Sequence, residues 1–202
     1  RGLVGSEMCI RDRVEVTVVS ASEFSGYYEQ NNQLDFSKPV SWKLDYEFRP
    51  RSLKHQDPVP LILHALLEEP GLRQFSGRLF SIISELFNNA LDHGLLELPS
   101  ELKHEAMGFA HYYEERIRRL AVLERGFVRF SLDYTADESG GELIVDVIDS
   151  GAGFDFKKER DENNEPALHG RGLALVRSIC QSVEFLDAGN HVRAVYHWPD
   201  SM

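Results

Sequence analysis

Ser84-Glu85-Leu86-Phe87-Asn88-Asn89-Ala90-Leu91-Asp92-His93-Gly94 is the stretch on which the reading of this chain turns. It closes a helical pattern in which Phe75, Leu79, Ile82, Ile83, Leu86, Phe87, Ala90 and Leu91 recur at helical spacing. That pattern predicts a helix over 72–93, with Gly94 as a left-handed cap. Glu85 and Asn89 stand four residues apart and Asp92 three beyond, so an α-helix sets all three on one face. A carboxylate and an amide on one face can hold a metal–phosphate group from two sides. Magnesium wants oxygen ligands and takes few of them from protein; Asn89 supplies one without adding charge. Glu85 can take a proton from an attacking hydroxyl or water. The other reading of the same residues is a solvated Glu and Asn on an amphipathic helix.

Two later segments carry matching chemistry. Asp149-Ser150-Gly151-Ala152-Gly153 follows a β-branched run, so Asp149 ends a strand with flexible backbone beyond it. Such an Asp can accept a hydrogen bond from an adenine amino group while Gly151 and Gly153 let the ring lie close; a plain turn after a strand is the alternative. Gly170-Arg171-Gly172-Leu173 opens a helix, where small residues expose backbone amides and the helix dipole favours anions. Arg171 is either a direct phosphate contact or a surface residue, and the neighbouring His169 reads as structural. No phosphate-binding loop of the Gly-x-x-x-x-Gly-Lys-Ser/Thr type, kinase-type glycine loop or clustered Cys/His spacing competes with this set.

The remaining pattern supplies a sheet and its cover. Strands are expected at 14–19, 40–48, 127–134 and 142–148, with a final hairpin of 183–186 and 192–198 turning at Gly189-Asn190. The first of these equally suits the tail of a preceding domain, and 20–39 reads as linker. Asp57 is placed to cap a helix that carries Pro58 in its first turn and runs to about Glu69. A second long helix is expected over 100–123, packing Leu102, Ala106, Phe109, Tyr113, Ile117 and Leu120 inward, with Glu114–Arg118 and Glu115–Arg119 pairs outside. Residues 151–169 are long enough for a lid, and a helix follows over 172–182. This order of elements gives an α+β two-layer sandwich, a mixed and mostly antiparallel sheet with helices on one face.

Composition narrows the class. The chain has 202 residues, 42% hydrophobic and 27% charged, enough for one domain with a sizeable core. A net charge of -11 argues against a nucleic-acid-binding surface, which needs clustered Lys and Arg, and leaves any bound polyphosphate to be offset by magnesium or backbone amides. Two cysteines, Cys9 and Cys180, make no disulfide framework and fit a reducing cytoplasm. No apolar run reaches the ~18 residues of a membrane helix. Residues 1–13 carry no hydrophobic period and an internal Met8, and read as a non-native leader ahead of a missing natural N-terminus.

In this order, the three segments resemble the three nucleotide-binding boxes of the GHKL ATPase superfamily, which includes gyrase and the histidine kinases. The resemblance implies a Bergerat-type fold binding ATP and Mg²⁺. It makes Glu85 the base and Asn89 the metal ligand, with Asp92 on the same helix at the nucleotide. It assigns Asp149 to adenine and Gly151, Gly153, Gly170, Arg171 and Gly172 to the surround of the nucleotide. The first box and the run from Gly170 to Phe185 look like the anti-sigma-factor serine kinases of bacterial partner switching, over about 40–198. That branch implies phosphorylation of a serine on a small antagonist protein, capture of a sigma factor or other partner, and often a homodimer. Related proteins carry receiver and metal-dependent phosphatase modules upstream. A nucleotide-gated module that sequesters a partner without phosphotransfer, and a histidine-kinase catalytic domain, are the alternatives. The helix over 100–123 departs from compact members of the branch and is either a partner-docking surface or cover for the sheet.

Overall fold

Alternation along four strands decides which way the sheet faces. Trp42, Leu44, Tyr46 and Phe48 are every second residue of β2 (Val40–Phe48), and β3 (Val128–Asp137) repeats the pattern with Val128, Phe130, Leu132 and Tyr134. Leu143, Val145 and Val147 do so in β4 (Gly140–Asp149), and Val192, Ala194, Tyr196 and Trp198 in β6 (His191–Pro199). The computed structural model, which describes residues 15–17, 40–99, 108–153 and 171–199, joins these strands to β1 (Glu15–Thr17) and β5 (Ser182–Leu186). The sheet has six strands in the order β1-β2-β3-β4-β6-β5. Every pairing among the described residues is antiparallel. The fold is thus the expected α+β sandwich.

The apolar rows bury against α2 (Pro58–Leu67), α3 (Ser76–Asn88) and α5 (Arg171–Ile179), with Ile62, Leu66, Leu79, Ile82, Ile83 and Val176 wholly inaccessible. Full burial of such side chains contributes about 1.5–3 kcal/mol each. The opposite face of the sheet is charged and paired across strands: Lys43 with Asp133 at 2.6 Å, Glu47 with Arg129, and Asp146 with His191 at 2.7 Å and Arg193 at 2.9 Å. α2 begins as anticipated, the Asp57 carboxylate accepting the Val59 amide at 3.0 Å. A single-turn helix, α1 (Pro50–Leu53), follows β2 where the sequence shows only a break. Among the described residues no helix is long and apolar enough to cross a membrane.

Three expectations change. The helix over 72–93 is three segments: a 3₁₀ turn over Pro70–Phe75, then α3, then a π-helical turn over Asn89–Leu95. Gly94 lies inside that π turn and does not take a left-handed conformation; Glu97 does, at φ 51°. The second long helix is α4 (Gly108–Val122), and its inner face carries Tyr112, Arg116 and Arg119. Phe109, Tyr113 and Ile117, expected inside, are exposed. The apolar period misled because the inward side of α4 meets polar groups, and so is itself polar. The leader over 1–13, the linker over 20–39, the start of the second long helix, all of the 151–169 lid beyond Gly153, and Gly170 lie outside the described residues.

Candidate functional site

Strand alternation that points Leu143, Val145 and Val147 at the helices also points Asp149 there, a carboxylate at the end of an apolar row. It is buried, and its Oδ1 accepts one hydrogen bond, from the Gly151 amide at 2.7 Å. Burial pushes its carboxyl up to about 6, against the opposing pull of that amide. Backbone contacts with the β5–β6 turn hold it in place. Its N–H donates to the Asn190 carbonyl at 3.0 Å, and Asn190 Nδ2 donates to its carbonyl at 3.0 Å.

Glycines surround this carboxyl for a steric reason. A Cβ at Gly94 would overlap the Asp149 carboxyl group, and one at Gly151 would overlap the Gly94 carbonyl. Gly153, at φ 73°, sits against the Ala188 carbonyl, where only glycine is unstrained. The first two boxes are therefore in direct contact. At the other end of the first box, a Cβ at Gly172 would overlap the Glu85 carboxylate, so Glu85 lies against the first turn of α5. A helix start accepts negative charge, and here it has a carboxylate beside it. The two contacts sit nine residues apart on the first-box helix, at Glu85 and Gly94, roughly 13 Å at about 1.5 Å per residue.

Asn89 stands at the junction of α3 and the π turn, part-buried, one turn beyond Glu85. Asp92 is not brought to this group. The wider π turn rotates it toward α4, where its Oδ2 accepts the Tyr112 hydroxyl at 2.8 Å and its Oδ1 accepts Arg116 Nε at 2.6 Å. Burial and the nearby Asp92 charge push the Tyr112 phenol well above its usual range. Arg119 continues the clamp, donating to the carbonyls of Leu96 at 2.8 Å and Glu97 at 2.6 Å, just past the π turn. Asp92 is thus a fastening between α4 and the first box. Arg116→Met, which strands a buried carboxylate, is expected to lower unfolding free energy by roughly 2–4 kcal/mol in urea titration. Tyr112→Phe is expected to cost about 1 kcal/mol.

Arg171 begins α5 by its backbone, and its side chain lies outside the described residues. Sequence reasoning missed Gly94 as a wall against Asp149, Asn190 as its brace, and the Tyr112–Arg116–Arg119 clamp. An Asn in a turn and charged residues on a helix carry no signal of distant partners.

The donor set suits a magnesium nucleotide. Among the described residues no three His, Cys, Asp or Glu side chains form a ready-made metal site. Bare backbone at Gly94, Gly151 and Gly172 is what lets the Asp149 and Glu85 carboxyl groups pack this closely against the neighbouring segments. The chain has no match among curated proteins. Residues 55–196 match the family model of the histidine kinase-like ATPase domain, which covers both contacts and most of the sheet. Over that span, the chain belongs to the histidine kinase-like ATPase domain family.

Proposed function

We propose that this domain binds ATP with Mg²⁺ and transfers the γ-phosphoryl group to a serine of a small antagonist protein, as the anti-sigma-factor kinases of partner-switching systems do. The observation that carries it is the pair of contacts on one helix, Gly94 with Asp149 and Glu85 with Gly172, spaced for the two ends of an extended nucleoside triphosphate. Asp149 accepts the adenine amino hydrogen. The first-turn amides of α5 face the phosphates, with Gly170, Arg171 and Gly172 around them. Asn89 is the residue that would hold Mg²⁺, which supplies charge neutralisation between the phosphates. Glu85 takes the serine proton as the hydroxyl oxygen bonds to phosphorus and the bond to ADP breaks. The chain's net charge of -11 makes this local offset necessary.

Calorimetric titration of the chain with ATP is expected to give a dissociation constant on the order of micromolar with Mg²⁺ and markedly weaker binding without it. Absence of heat at millimolar ATP sinks the nucleotide reading. Incubation with γ-labelled ATP and small antagonist proteins tests the transfer, with label on serine as the expected result.

A further inference from the structure

Helix α4 has two unlike faces. The inner one is fastened to the first box by Tyr112, Arg116 and Arg119. On the outer one Phe109, Tyr113 and Ile117 are 65%, 59% and 67% exposed, and Ala110 and Ala121 beside them are exposed as well. At about 100° per residue these five positions share roughly a third of the helix circumference. Three large apolar side chains in one row form a continuous surface rather than the scattered exposure usual on a monomer.

The charges beside that row indicate what covers it. Glu114 and Arg118 run together along one edge of the stripe, and its other edge is closed by the domain itself at Tyr112, Arg116 and the partly buried Leu120. Glu114 makes no hydrogen bond or ion pair among the described residues. Arg118 grips Glu115 through Nε and Nη2, both at 2.7 Å, which leaves Nη1 for another carboxylate.

We infer that α4 is the interface with a second copy of this chain, packed antiparallel across a two-fold axis lying between Tyr113 and Ile117. In an antiparallel helix pair each edge faces the same edge of its mate. Glu114 then meets Arg118 of the second copy, and Arg118 meets its Glu114, so the pairing is satisfied twice by one sequence. The same register sets Phe109 opposite Ala121 of the second copy, large against small, and Tyr113 opposite Ile117. A parallel arrangement would turn the Glu114–Arg118 edge toward the side of α4 that the domain already covers. The contact is confined to one helix of 15 residues, well short of the roughly 1,200–2,000 Å² of a standard interface, so the dimer is weak and exchanges with monomer. The inference concerns a surface away from the nucleotide contacts and stands or falls independently of the proposed chemistry.

Sedimentation velocity on the full chain, from about 1 to about 500 μM, is expected to show concentration-dependent dimerisation with a dissociation constant of some tens to hundreds of micromolar. Ile117→Glu, at an exposed position, is expected to leave the circular dichroism spectrum unchanged and to abolish the dimer. Glu114→Arg and Arg118→Glu should each weaken it at least about threefold by placing like charges opposite each other. The double exchange should restore it, which only a self-complementary antiparallel pairing requires. A chain that is monomeric throughout, a dimer indifferent to Ile117→Glu, or a double exchange that fails to restore association overturns the inference.

Discussion

Asp149→Asn is expected to bind ATP roughly 10–100-fold more weakly than the wild type while making the ligand-free domain more stable at neutral pH. Both effects come from one buried carboxyl. Its Oδ1 is committed to the Gly151 amide, so the other oxygen is the one that the proposed adenine contact uses. An Asn that keeps the Gly151 bond turns its own amino group toward the adenine amino group, donor against donor. The stability gain follows from linkage. The folded-state pKa is raised from 3.8 to about 6, so Asp149 favours folding when protonated, and that contribution is lost as pH rises through about 6. Two units correspond to about 3 kcal/mol at neutral pH, which a neutral isostere recovers in part. Several degrees of increase in the midpoint of thermal unfolding is the expected reading, alongside the calorimetric loss of affinity.

The same group sets a pH signature. With Oδ1 held by the Gly151 amide, protonation of the other oxygen turns the proposed acceptor for adenine into a donor, so wild-type affinity should be flat above pH 7 and about tenfold poorer at pH 5 through Asp149 alone. Nucleotide phosphates titrate nearby, so the informative quantity is the difference between wild type and Asp149→Asn. That difference should shrink as pH falls through about 6. Equal affinities at neutral pH would remove Asp149 from the adenine site.

Much of this was legible in the chain because the relevant signals are local. Alternation in 40–48 and 142–148 marks strands facing a core, and it alone turns Asp149 inward. Asp57-Pro58 announces a capped helix start, and the Asp57–Val59 bond is present. What failed was of another kind. Nothing in Asn89 to Gly94 distinguishes an α turn from a π turn, because the wider turn is imposed by what α4 and β4 need at its end, not by propensity. That difference moves Asp92 from the nucleotide side to the clamp with Tyr112 and Arg116. Gly94 was readable as a special glycine, and its reason, the Asp149 carboxyl against its Cα, is a contact across 55 residues. The face of α4 was misjudged for a related cause. The inward side of α4 meets the Asp92 carboxylate and the carbonyls of Leu96 and Glu97, so it is polar, and the apolar stripe of Phe109, Tyr113 and Ile117 is the exposed one.

Glu85→Gln is expected to lower phosphotransfer about 10²–10⁴-fold while leaving the ATP dissociation constant within a few-fold of wild type. Gln preserves the shape against Gly172 and removes the carboxylate proposed to take the serine proton. Gly172→Ala perturbs the same place from the opposite side. Its Cβ would overlap the Glu85 carboxylate, the far end of a flexible side chain, so Glu85 swings aside and the fold holds. Alanine also suits a helix better than glycine by about 1 kcal/mol, so thermal stability should be kept or raised as transfer falls. The pair separates chemistry from architecture: one variant removes the base in place, the other displaces it without changing it. Single-turnover transfer of label at saturating ATP, read beside calorimetric affinity, is the measurement. Wild-type transfer by Glu85→Gln would end the assignment of Glu85 as base. ATP binding without transfer to any serine-bearing antagonist, by wild type and variant alike, would leave a nucleotide-gated module that holds its partner and does not modify it.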